Sequence, residues 1–384
     1  MNAYLDNAAT TRLHPKVLEK MLPFLKEEYG NASSIHSFGR KARVAVEEAR
    51  ETIAQFINAD PGEIYFTSGG TEANNFVING IAKADFKETR RNRIISSSSE
   101  HTSILESITE LTNHGYSSRL LNTLKNGFID FTGLENLLVH SVSLVSFIHT
   151  NNETGVMNNI PLVAQTLKDK IIHFHTDAVQ AFGKTKIDVK ELNVSSITGS
   201  AHKINGPKGV GFAYVKSGTP LFPLVFGGAQ ERNRRGGTEN VANIVGFAEA
   251  VKIAKENMES NWNNAASLKT AMIKGLKTID STGIVINSPE KTSPHILSIT
   301  FDSQYYKNDA EAMLIFMDIN GVAASNGAAC SSGTLKPSHV ILSMGKKIDD
   351  ANGTIRFSFG HENTKEEINY VLDVIKKMSV KFKK

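Results

Sequence analysis

Through the first two thirds of the chain, short apolar runs of strand length alternate with stretches of helical spacing, and nothing else in the sequence narrows the possible folds as far. Ile64-Tyr65-Phe66-Thr67 leads through Ser68-Gly69-Gly70-Thr71-Glu72 into a helical stretch over 73–84. Arg93-Ile94-Ile95-Ser96 is followed by a helix over 103–111, and 144–149 and 171–175 read as buried strands with helical spacing over 160–168 between them. Such alternation predicts an α/β fold, a mostly parallel sheet with helices on both faces, and it puts active residues in the loops at the carboxyl ends of the strands. The pattern changes near residue 255. A helical stretch over 257–277, a strand over 296–301, a helix over 310–317, a small-residue segment, a strand over 354–359 and a last helix over 365–378 predict a smaller α+β C-terminal domain.

At 384 residues and 40% apolar content, the chain is large enough for two or three packed domains. Lys and Arg number 43 against 39 Asp and Glu, a mild basic balance. The clusters Arg90-Arg91-Asn92-Arg93 and the tail over 376–384 read as solvated surface or a docking patch for an acidic protein partner. They lack the repeated aromatic interleaving of a nucleic-acid platform, so no nucleic-acid partner is expected. No apolar run approaches a membrane span, and the N-terminus has no secretory pattern. A single cysteine makes no internal disulfide, and the chain reads as cytoplasmic.

Five strand-end loops carry reactive groups. Asp177, after the strand over 171–175, has three readings: a cap, a metal ligand with His173 and His175 on the same strand face, or a partner for a protonated pyridine nitrogen. Lys203, in Ser200-Ala201-His202-Lys203-Ile204-Asn205-Gly206-Pro207, follows another strand; it is either a surface lysine or the attachment point of an aldehyde cofactor, with Ser200 and His202 as phosphate donors. Gly70 and Thr71 open a helix, where free N–H groups and the positive dipole end suit either a plain cap or a phosphate. His101 could stack on a flat cofactor and move protons, or serve as an ordinary loop histidine. Asn151-Asn152-Glu153-Thr154-Gly155 adds polar groups on the same edge.

Cys330 lies in Ala323-Ala324-Ser325-Asn326-Gly327-Ala328-Ala329-Cys330-Ser331-Ser332-Gly333-Thr334. A run of small residues cannot build a packed core, so a mobile surface loop is expected over 323–334. Cysteine is usually a buried small hydrophobe, and its place in such a loop favours a reactive thiol.

Together these segments resemble the cysteine desulfurases of the NifS/IscS type, in the branch with an extended active-site cysteine loop. The resemblance covers nearly the whole chain. It rests on Tyr4-Leu5-Asp6-Asn7-Ala8-Ala9-Thr10-Thr11, Gly30-Asn31 through His36, the loop over 67–75, Asn151 to Gly155, Thr176-Asp177-Ala178-Val179-Gln180, Ser200 to Gly211, Gly227-Gly228 to Thr238-Glu239-Asn240, the Cys330 loop and Ile355-Arg356-Phe357-Ser358. Ala32, Ala229, Gly236 and Asn326 depart from the family's usual residues.

The resemblance implies the aspartate-aminotransferase-like fold of pyridoxal-phosphate enzymes (fold type I), assembled as a homodimer. It implies an N-terminal segment 1–14 associated with the small domain, a large cofactor-binding domain over 15–255, and a small domain over 256–384. Gly70, Thr71, Ser200 and His202 would hold the cofactor phosphate, with Thr238 reaching in from the neighbouring subunit. Asp177 would face the pyridine nitrogen, Gln180 and Asn152 the ring hydroxyl side, and His101 the ring face. Lys203 would carry the cofactor and move the substrate's Cα proton. Arg356, with Asn152, would bind the carboxylate of L-cysteine. Cys330 would take the sulfur as a persulfide and pass it to an acceptor protein, such as an iron–sulfur scaffold. No resident metal is implied, although Cys330 could transiently ligate a cluster with that scaffold. A C–S lyase or an aminotransferase on the same fold is the alternative chemistry. A non-enzymatic metal- or sulfur-binding protein using His173, His175 and Asp177 is the rival of a different class.

Overall fold

The computed structural model describes residues 1–288, 292–327 and 336–384. After a short strand β1 (Ala3–Tyr4), seven strands build the central sheet: β2 (Ile64–Thr67), β3 (Arg93–Ser97), β4 (Ser117–Leu121), β5 (Val142–Ile148), β6 (His173–Asp177), β7 (Ser196–Ser200) and β8 (Gly211–Val215). Their spatial order is β2-β8-β7-β6-β5-β3-β4. The pairs from β4 to β7 are parallel, and β8 runs antiparallel to both β7 and β2.

Every residue of β5 is buried, because helices cover both faces of the sheet. On one face the helices Gly70–Thr89 and Thr102–Asn113 set Phe76, Ile81, Ile104 and Ile108 against Ile94, Leu144 and Ala213. On the other, Val46 and Ile53 of the helix Ser37–Phe56 pack with Val145, Phe147, Ile197, Phe212 and Phe247. Chain direction across the sheet reverses between β3 and β5: from β3 the chain goes outward to β4, and from β5 it goes the other way to β6. The loops after β3 and β5 therefore diverge and leave a crevice at the strand ends.

A second core lies under the antiparallel sheet β12-β10-β9, formed by β9 (Ile284–Ile286), β10 (Ile296–Phe301) and β12 (Thr354–Ser358). Strand β11 (Val322–Ala323) pairs in parallel with β1, so the N-terminal segment is stitched to this second core. The Asn7 amide nitrogen donates to the Ser358 carbonyl at 2.9 Å, and Ala8 N donates to Ser358 Oγ at 2.8 Å. The helix Val241–Ile279 spans both cores. It gives Ile244, Phe247 and Val251 to the first, and Leu268, Met272 and Leu276 to the second.

Three sequence expectations shift. The long helix starts at Val241, well before residue 257, because the Asn240 side chain accepts from Asn243 N and caps it there. The strand expected over 171–175 is β6, which starts at His173, and Ile171 is 83% exposed. The segment expected as a surface loop from Ala323 is held inward where it is described. Ala323 pairs with Tyr4, Ser325 bridges to Arg356, and Asn326 is buried. Small residues need no core of their own when a strand edge takes up their backbone groups. Among the described residues, no helix is long and apolar enough to cross a membrane.

Candidate active site

The strand-end loops converge on a cavity of about 350 Å³ lined by Gly70, Thr71, His101, Asn152, Asp177, Gln180, Ser200, His202, Lys203 and Arg356. The sequence-expected residues at strand ends thus meet in one place. Thr238 is exposed and does not line this cavity. Cys330 lies outside the described residues, while Ser325 and Gly327, which lead toward it, line the cavity.

One wall is built for an anion. The helix Gly70–Thr89 opens at Gly69, whose φ of 154° suits only glycine and whose cap position has no side-chain bond, so the first N–H groups stay free. A Cβ on Gly70 would come within 2.8 Å of Val179 Cγ2, so only glycine keeps this wall open. Ser200 Oγ is buried there with no partner among the described residues, which leaves its hydroxyl able to donate. His202 Nδ1 sits 3.2 Å from Thr10 Oγ1; burial, then the nearby lysines, lower its pKa to about 4 and leave it neutral. A twenty-residue helix end with its dipole and free donors favours a phosphate.

Asp177 is 4% exposed, and each of its oxygens accepts one hydrogen bond. Its Oδ2 accepts from Asn74 Nδ2 at 2.8 Å and its Oδ1 from Val179 N at 2.9 Å. Asn74, which the sequence reading missed, is fixed in turn because its Oδ1 accepts from Thr198 Oγ1 at 2.6 Å. His173 and His175 do not join Asp177 in a metal site. His173 Nε2 lies 3.5 Å from Asp85, and His175 Nδ1 lies 3.2 Å from Ser196 Oγ. Among the described residues, no group of three or more potential ligands is placed to hold a metal ion.

His101 caps the helix Thr102–Asn113 by accepting from Ser103 N at its Nδ1, 3.2 Å away. Burial lowers its pKa, so the neutral ring carries its proton on Nε2. Its sequence neighbour Glu100 is completely buried, and burial pushes the Glu100 pKa up to about 8. Its Oε1 accepts from Ser97 Oγ at 2.6 Å and from Ile148 N at 3.0 Å.

Lys203 Nζ donates to the carbonyls of Ala8 at 2.6 Å and Ala9 at 2.8 Å. Burial first, then the Arg356 charge, lower its pKa to about 8, and Asp6 and Asp177 oppose the shift. Its free amine is therefore accessible near neutral pH. Arg356 is 4% exposed: its Nη1 donates to the Asn152 carbonyl at 3.0 Å, and its Nη2 pairs with Asp6 Oδ1 at 2.7 Å. Its Nε and the Asn152 Oδ1 are buried without partners among the described residues. The sequence signal for Asp6 was its place in Tyr4-Leu5-Asp6-Asn7; Ala8 and Ala9 act through backbone carbonyls, which no residue type announces.

Of the departures noted in sequence, Gly236 has a local reason. A Cβ there would lie 2.7 Å from Gly227 Cα, so the two loops meet backbone to backbone.

A family model described as "Aminotransferase class-V" matches residues 3–371. A "Cysteine desulfurase IscS" from Dictyoglomus turgidum is 42% identical over 381 residues, covering 99% of this chain and 95% of that protein. Among solved structures, a "NIFS-LIKE PROTEIN" superposes with a TM-score of 0.91 at 34% identity, covering the whole of both chains. The structure described as "SspA in complex with cysteine" reaches a TM-score of 0.82 at 31% identity, over 94% of this chain and all of that one.

Proposed function

The chain belongs to the aminotransferase class-V family, among the cysteine desulfurases of the NifS/IscS type, and from that membership we propose which of its residues take sulfur from L-cysteine and how. The observation that carries the reading is the Lys203 amine, held at lowered basicity in the same cavity as the Asp177 carboxylate, the Arg356 guanidinium and an anion-ready helix end. Ser200 Oγ and Asn152 Oδ1, without partners among the described residues, and the cradle that a Cβ on Gly70 would fill fit pyridoxal 5′-phosphate. Bound there, that cofactor supplies an aldehyde that takes up an amine and a ring that draws electrons from the carbon beside it.

Gly70, Thr71, Ser200 and His202 would hold the phosphate, and Thr238 of a second copy would complete its shell in a homodimer. Asp177, anchored by Asn74, keeps the ring nitrogen protonated. With the cofactor bound, His101 would face its ring, and Gln180 and Asn152 would stand toward its hydroxyl. Arg356 takes the carboxylate of cysteine in the plane fixed by Asp6 and the Asn152 carbonyl. Lys203 Nζ removes the Cα proton. The Cys330 thiolate attacks the substrate sulfur: an S–S bond forms, the C–S bond breaks with its electron pair left on Cβ, and protonation of Cβ together with return of a proton from Lys203 to Cα gives L-alanine. Cys330 keeps the sulfur as a persulfide. A free thiol near pKa ~8.5 is a few per cent ionised at neutral pH, so proton transfer through His101 assists the step.

The persulfide passes to an acceptor protein, which we take to be an iron–sulfur scaffold with which Cys330 transiently shares a cluster. A reactive thiol of this kind suits the reducing cytoplasm. We divide the chain inside the helix Val241–Ile279, near residue 255, into a large cofactor-binding domain and a small domain carrying the Cys330 segment, with residues 1–14 attached to the small domain. The test is direct. Purified protein given pyridoxal 5′-phosphate and L-cysteine should release L-alanine, and the Cys330 peptide should gain the mass of one reductant-labile sulfur atom. Pyruvate and free sulfide without alanine would instead establish a lyase.

A further inference from the structure

A line of donors runs behind the cavity from Lys184 to Lys203. Lys184 Nζ donates to Gln180 Oε1 at 2.9 Å, Gln180 Nε2 donates to the Ala8 carbonyl at 2.9 Å, and Lys203 Nζ donates to the same carbonyl at 2.6 Å. Gln180 is 4% exposed and lines the cavity. A glutamine amide has two ends of nearly equal shape, and only its partners decide which end faces which way. A lysine nitrogen bearing hydrogens selects the oxygen. Among the described residues, Lys184 is the donor to Gln180 Oε1, so it turns the NH2 end toward Ala8 and the site.

Lys184 is otherwise hard to explain. Its remaining accessible surface faces a second cavity of about 180 Å³, shared with Lys203 and His295. Among the described residues, no carboxylate pairs with it, and a half-buried lysine resting on one neutral amide carries a desolvation cost. Burial, then Lys203 and Arg356, lower its pKa to about 7, and the nitrogen donates to Gln180 in either protonation state. Among the described residues, the charged and titratable groups facing this region are Lys184, Lys203, Arg356, Asp6, Asp177, His14, His101, His202, His295 and His361.

We propose that Lys184 is a positioning residue that fixes Gln180 with its NH2 end toward the cofactor's ring oxygen, making that side chain a donor there. The proposal rests on the pyridoxal-phosphate reading of the site. A donor favours the anionic form of that oxygen, so losing it raises the pH at which the bound chromophore titrates.

The experiment follows the visible absorption of protein loaded with pyridoxal 5′-phosphate across pH. Lys184→Met should raise the midpoint by about one unit, Gln180→Leu should raise it equally, and the double variant should go no further. Lys184→Arg should keep the parent midpoint. A general structural role would lower thermal stability without moving the midpoint. If Lys184→Met does not fold, the shorter but polar Lys184→Gln also breaks the bond to Gln180 and should give the same rise. An unmoved midpoint in these variants, or additive shifts in the double variant, overturns the proposal alone. A parent protein that takes up no pyridoxal 5′-phosphate overturns both it and the reading beneath it.

Discussion

Arg356 and Asp6, 350 residues apart in sequence, form a 2.7 Å ion pair that ties the strand β12 to the N-terminal segment. The pair sets the plane of the guanidinium before any substrate arrives. A charge-assisted carboxylate contact is worth about 1.5–3 kcal/mol, so Arg356→Ala should weaken apparent binding of L-cysteine roughly tenfold to a hundredfold. Asp6→Asn keeps an oxygen for the contact and should weaken binding less. Titrating the cysteine-induced spectral change of loaded protein measures both. Unchanged affinity in Arg356→Ala would remove it from the substrate site.

Lys203 should carry the cofactor. Borohydride treatment of protein loaded with pyridoxal 5′-phosphate should leave a stable adduct on the Lys203 peptide, and Lys203→Ala should form none. An adduct mapping to Lys208 or Lys184 would assign the role elsewhere.

Cys330→Ala should bind the cofactor normally and keep the spectral change on adding L-cysteine. Its alanine production should fall to near background, since nothing attacks the substrate sulfur. Full alanine production by this variant would sink the persulfide route.

Burial holds the Glu100 pKa at about 8, against an ordinary 4.5. Because the folded value is the higher one, its stabilising neutral form is fully favoured below pH 4.5, and that contribution is lost progressively as pH rises to 8. Glu100→Gln keeps an oxygen to accept from Ile148 N and cannot ionise. Melting temperatures between pH 5 and 8 should fall more steeply for the parent than for this variant. Parallel curves would mean Glu100 does not titrate in that window.

Much of the site was readable because a parallel sheet delivers it in order. Gly70, His101, Asn152, Asp177 and Lys203 each follow a strand-like run, and strand ends on one edge meet. What escaped was burial of polar groups. Asn74, Glu100 and Lys184 look like ordinary polar residues in sequence, and only the packing bonds Asn74 to Asp177, shuts Glu100 away from water and sets Lys184 against Gln180. The long helix was read short because its first half, 241–256, packs on one core and its second half on the other, which breaks any single apolar stripe. The segment from Ala323 was read as free because a strand edge that receives it lies at the opposite end of the chain.

That last arrangement bears on how the protein is made. Asp6 and the Ala8 and Ala9 carbonyls are synthesised long before Arg356 and Ser358, the groups that hold them in place. A nascent chain can complete its large parallel sheet while the grip on Lys203 is still missing, since that grip needs the N-terminal segment docked on β11 and β12. Contacts of such long sequence separation form late. A growing polypeptide therefore lacks the Arg356 clamp on the N-terminal segment until translation is nearly finished, and whatever chemistry depends on that clamp is the last thing the chain acquires.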